Sequence, residues 1–169
     1  MEAEYLVKLK KLADAGTIPV KTYSCNTSLF RWQSSPQATG VYFNKPQELE
    51  EMGRYNDPAG RVGVCYVATD PITAMAESYC RQNRELDADE LTRNQLCELE
   101  ATDDINTVDI GALMPKIGLK LDELTSSNYK ITQNICGFFA QNPECSIQGI
   151  SYRSRHYDNG NHCIALLEQ

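Results

Sequence analysis

The chain has 169 residues, 41% of them hydrophobic and 23% charged, which suits one packed domain and argues against a disordered segment. With 16 Lys and Arg against 23 Asp and Glu, the formal charge is −7. A general grip on nucleic acid or anionic lipid, which draws on clustered cations, is therefore not expected. No apolar run nears the ~20 residues that span a bilayer, and the opening Met1 to Lys8 lacks the apolar core of a secretory signal. The seven cysteines are odd in number and widely spaced, a pattern of free thiols in a reducing compartment, so a cytoplasmic location is expected.

In chain order, residues 1–15 read as a helix with Tyr5, Leu6, Leu9, Leu12 and Ala13 on one stripe and Gly16 at its end. That stripe needs a partner, within the domain or in a second subunit. Residues 20–32 and 40–44 read as strands around a Ser-Ser-Pro loop, and Lys45 to Met52 as a short acidic helix stopped by Gly53. Arg54 to Gly60 is loop chemistry. Arg61 to Thr69 is the clearest strand, apolar enough to be buried on both faces. Asp70 and Pro71 then supply the cap and first residue of a helix over 71–83, with Ile72, Met75, Ala76, Tyr79 and Cys80 as its apolar stripe. Residues 95–101 and 105–109 read as strands, Ala112–Lys116 as a helical turn, and Ser127–Gln141 as a helix. Gly149–Arg153 and Cys163–Leu167 close the chain as strands joined through the turn Asp158-Asn159-Gly160. Interspersed helices and strands make the class α+β.

Several chemistries lack their signatures. There is no phosphate-cradling P-loop, dinucleotide Gly-x-Gly-x-x-Gly, nucleophile elbow or Cys-x-x-Cys. The nearest metal cluster, His156, His162 and Cys163, puts adjacent residues on opposite faces of a strand, so no metal site is expected. The eight arginines are more informative. Arg54 and Arg61 bracket a loop of small and polar residues, Arg31 follows a strand-like run, and Arg153 and Arg155 flank Ser154. Arginine in such settings presents a planar fork to phosphate or carboxylate. The plainer account pairs these arginines with Glu48, Glu50, Glu51 and Asp57. Glu77 shares a helix face with Thr73 and Arg81 and would on the plainer account form an i,i+4 pair with Arg81. Its neighbours Ala74 and Ser78 are small, so another group could approach it closely.

Phe30-Arg31-Trp32, Gly53-Arg54-Tyr55-Asn56, Val64 to Ala68, and Thr73-Ala74 with Glu77 resemble the first half of the RES domain. Gly149 to Arg155, with Cys163 to Leu167, resembles its closing block. The family is named for an arginine, a glutamate and a serine. The resemblance implies an ADP-ribosyltransferase-like fold over residues 21–169, with 1–20 as a helical extension that could build a homo-oligomer interface. It also implies a toxin that consumes NAD by phosphorolysis or hydrolysis, restrained by an Xre-type antitoxin protein. Arg31, Arg54, Glu77 and Ser154 would be the catalytic set, with Tyr55, Tyr66, Arg153, Arg155 and His156 binding substrate. NAD would be substrate, with inorganic phosphate as co-substrate, and no cofactor is implied. ADP-ribosyl transfer to a macromolecule and a non-catalytic nucleotide- or partner-binding scaffold are the alternatives.

The chemistry suits these residue types. Cleaving the ribose–nicotinamide bond builds positive charge on the sugar, which a carboxylate at Glu77 would stabilise. Arginines would clamp the pyrophosphate. Ser154 has no base beside it in sequence and is read as a hydrogen-bonding residue rather than a nucleophile. The acidity does not oppose an anionic substrate, because residues 85–123 alone sum to −8 and the remainder, which holds every arginine proposed for the site, sums to +1.

Overall fold

The most apolar strand forms the interior of the sheet. Val64–Ala68 (β3) pairs antiparallel with His162–Leu167 (β7) on one side and Ser28–Ser34 (β2) on the other, and all but Tyr66 of its residues are buried. The computed structural model describes residues 3–79, 88–157 and 160–168. Among these, seven strands form one mixed sheet in the order β1-β5-β6-β7-β3-β2-β4. The other strands are Val20–Tyr23 (β1), Asn94–Glu100 (β4), Ile105–Asp109 (β5) and Gly149–Arg153 (β6). Only β5 and β6 pair in parallel, and the chain between them runs through helices Ile110–Ile117 (α4), Leu121–Thr125 (α5) and Lys130–Gln141 (α6). Helices Glu4–Asp14 (α1), Pro71–Tyr79 (α2) and Ala88–Arg93 (α3) complete the six among the described residues. None of them is long and apolar enough to cross a membrane.

Strand alternation sorts the side chains between two faces. On one face Val64, Val108, Ile150, Ala165 and Leu167 meet Leu9 of α1, Leu113 and Ile117 of α4, and Ile135 and Phe139 of α6 in the largest core cluster. Phe30, Ala68 and Cys163 on that same face pack against Ala74 of α2. The opposite face, with Leu29, Cys65, Val67 and Ile164, is covered in part by Phe43. Among the described residues nothing covers the first face between α2 and the α4–α6 group, and the cleft described below occupies that gap.

Sequence and structure part at identifiable places. The run 20–32 is two strands, because a turn at 24–27 with Asn26 at φ 66° sends β1 to the sheet's edge beside β5 and β2 to the far side of β3. Residues 40–44 make only an isolated bridge, Asn44 to Val64, and the acidic segment before Gly53 forms a single 3-10 turn, Leu49–Glu51. On α2 the buried residues are Thr73, Ala74 and Tyr79, while Ile72 is exposed, so the stripe lies about one residue round from the expected one. Arg81, Cys80, the end of the expected helix 71–83, and Asp158-Asn159 lie outside the described residues. The six described cysteines are unpaired.

The stripe of α1 finds its partner within the chain. Leu9 is wholly buried against α4, and Asn134 of α6 donates to the Tyr5 hydroxyl at 2.9 Å. Truncating Leu9→Ala should therefore cost about 2–5 kcal/mol in denaturant unfolding. A helix that only awaited a second subunit would show a change near zero in the monomer.

Candidate active site

The cleft is built on a tightly specified turn. A Cβ on Gly53 would meet the Tyr66 hydroxyl at 2.7 Å and Asn56 Oδ1 at 2.9 Å, so a larger residue would have to displace the two side chains that hold this turn. Asn56, buried, accepts from Gly53 N at 2.8 Å and from the Tyr66 hydroxyl at 3.3 Å, while Tyr55 N donates to Tyr66 Oη at 2.9 Å. Tyr55 is buried and packs its ring 4.7 Å from that of Tyr152. Burial pushes both phenols well up, so they stay neutral in the floor. Asp57 closes the loop: its carboxylate takes Arg61 Nε at 2.8 Å and Nη2 at 2.5 Å, and Arg61 reaches on to the Gly137 carbonyl of α6 at 3.3 Å. Arg61 is thus the paired arginine of this loop, and Arg54 is the one turned to the cleft.

Arg54 is held by three groups. Its Nη1 donates to the carbonyls of Leu124 and Ser126, the latter at 3.1 Å, and its guanidinium lies 4.4 Å from the centre of the Tyr129 ring. Arg155 donates to the neighbouring Thr125 carbonyl at 2.8 Å. Two cations therefore sit at the carbonyl end of α5 and beside the cleft. Neither forms an ion pair among the described residues, and each guanidinium keeps further donors for a ligand.

Facing them is Glu77. Asp70 caps α2 by accepting from Thr73 N at 2.8 Å and Thr73 Oγ1 at 3.0 Å, which fixes the helix over the sheet. One turn on, Glu77 Oε1 accepts from Ser154 Oγ at 2.6 Å. Ser154 is buried just past the end of β6, and its oxygen also accepts from His156 N at 3.1 Å and Tyr157 N at 3.2 Å. With its proton and acceptor capacity so committed, Ser154 holds the carboxylate in place through Oε1. Burial pushes the Cys163 thiol up, and the Glu77 charge adds to this, so it lies in the floor as an uncharged group.

Around Glu77 the surface forms two lobes. One, of about 330 Å³, is largely aromatic, with Phe30, Trp32, Tyr66, Tyr129, Tyr152 and His156. The other, of about 340 Å³, runs past Tyr55, Leu121, Leu124 and Arg153. Arg54, Glu77, Tyr152 and Arg155 border both lobes and so form their seam. Each lobe is the size of a small ligand site. Among the described residues no group of three or more His, Cys, Asp or Glu converges as a metal site would require.

Of the residues singled out from sequence, Arg54, Glu77, Ser154, Tyr66, Arg155 and His156 are brought together here, with Tyr55 beneath and Arg153 in the second lobe. Arg31 contributes to the wall, but its guanidinium turns to the opposite face of the sheet. There Nη1 donates to the Tyr42 carbonyl at 2.7 Å and to Cys65 Sγ at 2.8 Å. It anchors the 40–42 segment, and the arginine at Glu77 is Arg54. Sequence reasoning missed Tyr129 and Tyr152. The alternation of β6 does place Tyr152 on the core face, whereas nothing near Tyr129 announces a stacking partner for Arg54.

A family model described as RES domain matches residues 28–169. The chain belongs to the RES-domain family. No curated protein matches it. Among solved structures it is similar to a chain of the M. tuberculosis MbcT–MbcA toxin–antitoxin complex, with 16% identity and a TM-score of 0.66 over 95% of this chain and 81% of that one. At that identity the likeness shows the fold alone, an α+β arrangement of helices on one mixed sheet. Helix α1 and strand β1 precede the matched residues, yet β1 pairs with β5 along its length in the RES-domain sheet.

The loop carrying Arg54 depends on Asp57. Burial raises its carboxyl, but the Arg61 side chain and the Arg61 and Ala59 backbone N–H groups outweigh this and hold it below its ordinary value of 3.8. The stability it contributes is complete above that value and is lost as acid takes the pH through the lowered one. Asp57→Asn should lower Tm at pH 7 and flatten the acid limb of the Tm–pH curve. Parallel wild-type and variant curves would contradict this role.

Proposed function

We propose that this RES-domain protein consumes NAD by cleaving the nicotinamide–ribose bond, and that it acts in the cytoplasm as the toxin of a toxin–antitoxin pair. The observation that carries the reading is a carboxylate fixed by a buried serine at the seam of two ligand-sized lobes, facing two arginines. Family membership and the toxin–antitoxin complex among the similar structures support it.

The chemistry follows from the charges. As the C1′–N bond breaks, its electron pair leaves with nicotinamide, the pyridinium becomes neutral and positive charge develops at ribose C1′. The Glu77 carboxylate would stabilise that charge, with Oε2, the oxygen that Ser154 does not hold, offered to the ribose. Because Ser154 holds the carboxylate beforehand, little reorganisation accompanies the step. Arg54 and Arg155 would take the pyrophosphate, turning binding energy remote from the reacting bond into alignment. Tyr66, Tyr129 and Trp32 give the first lobe flat faces for the nicotinamide ring. An oxygen of phosphate or water then bonds to C1′, giving a phosphorylated or a free ADP-ribose. An Xre-type antitoxin would act by covering the open cleft.

Purified protein should release nicotinamide from NAD, and mass spectrometry of the ribosyl product, with and without phosphate, separates phosphorolysis from hydrolysis. Glu77→Gln should lower the rate about 100-fold or more. Arg54→Ala should raise KM about tenfold or more, with the circular dichroism of both variants unchanged. Folded wild-type protein that leaves NAD intact in both buffers would overturn the reading.

A further inference from the structure

The second lobe has a feature that the seam does not explain. It opens at the C-terminal ends of β5 and β6, the parallel pair, where Asp109, Arg153 and His162 line it beside the first residues of α4. Crevices at the carboxyl ends of parallel strands are habitual ligand sites. Arg153 and His162 are register partners across β6 and β7. From β1, two strands away from β6, Lys21 sends its Nζ to within 3.0 Å of the His162 ring nitrogens. Lys21 lies ahead of the residues that match the family model, so this arrangement draws on a part of the chain outside the RES pattern.

The groups facing one another here are Lys21, Arg153 and His162, with Asp109 as the acid that offsets them. Burial lowers Lys21, and Arg153 pushes the same way against Asp109. His162 is lowered by burial, then by Lys21 and Arg153, again against Asp109. Asp109 is partly committed already, since its side chain caps α4 by accepting from Ala112 N at 3.1 Å. Arg153 and His162 thus line one cavity from two strands, and Lys21 hydrogen-bonds the His162 ring from a third strand behind it. Lysine has a long flexible stem and could turn to water, yet here it reaches inward. An anion in the lobe would meet the Arg153 guanidinium and an imidazole backed by the Lys21 ammonium, with Asp109 as the acid nearby.

We infer that Arg153 and His162, with Lys21 holding the His162 ring from behind, form a subsite for a tetrahedral phosphate group in the lobe next to Glu77. Arginine supplies a fork and the imidazole a single N–H, while the lysine ammonium on the far side of the ring adds positive charge and orients the imidazole. The phosphate has two sources. It is free orthophosphate, whose oxygen would bond to ribose C1′ as the C1′–N pair leaves on nicotinamide, or it is a phosphate carried by the nucleotide itself. The inference extends the NAD-cleavage reading, but its binding arm needs no turnover.

The test uses Lys21→Gln and Arg153→Gln in the full chain. Calorimetric titration with orthophosphate and with ADP should show binding to wild-type protein and a loss of about tenfold or more in each variant for at least one of the two. The unliganded variants should keep the circular dichroism of wild-type protein, so that lost binding is not lost folding. In the kinetic arm, a rise in the phosphate requirement at unchanged KM for NAD identifies orthophosphate, and a rise in KM for NAD identifies the nucleotide. Wild-type protein that binds neither probe, or variants that bind both as wild type does, would overturn the subsite even if NAD is cleaved. Binding lost in the variants while wild-type protein leaves NAD intact would uphold the subsite and remove the enzyme reading.

Discussion

Ser154 Oγ donates to Glu77 Oε1 at 2.6 Å from a buried position, and this bond joins two parts of the chain that the fold must first bring together. Glu77 stands on α2, whose start is fixed by the Asp70 cap and whose underside rests on the sheet through Thr73 and Ala74. Ser154 follows β6, which the crossover through α4–α6 sets parallel to β5. Two backbone N–H groups hold the serine oxygen, so the carboxylate is oriented from beneath by groups with no freedom to follow it elsewhere. A carboxylate fixed in this way before any ligand arrives is what a reaction that develops positive charge requires.

The cations are arranged by a different device. Arg54 leaves a turn that Gly53, Asn56 and Tyr66 lock together, and the Asp57–Arg61 pair ties that turn to α6. Its guanidinium then rests between Tyr129 and the carbonyls that end α5, where Arg155 also arrives. Backbone carbonyls can hold an arginine without neutralising it, whereas a carboxylate partner would remove the charge a pyrophosphate needs. Among the described residues the one acid at the seam is Glu77, which Ser154 keeps in place.

Much of this was legible in the residues. The uniform apolarity of 64–68 marked an interior strand, Asp70-Pro71 marked the start of α2, and the spacing of the Gly53–Asn56, Glu77 and Ser154 blocks marked the RES resemblance. What escaped had local causes. The stripe of α2 was misplaced because Thr73 and Ala74, small and unremarkable in hydropathy, are the residues that sit on the sheet beside the cleft, while Ile72 faces solvent. Helices α3 and α5 are too short for periodicity to register, with six and five residues. Arg31 and Arg54 looked alike in sequence, and only the parity of β2 against the cleft face separates them. Lys21 carried no signal at all, since its meaning depends on a strand order that sets β1 beside β5.

The central claim is that Ser154 acts through Glu77 and not on the substrate. A double-mutant cycle on the rate of NAD consumption, using Glu77→Gln, Ser154→Ala and the pair, measures this directly. The account predicts that Ser154→Ala slows wild-type protein and has almost no further effect once Glu77 is glutamine. Losses that multiply would show the serine working independently of the carboxylate and would contradict it.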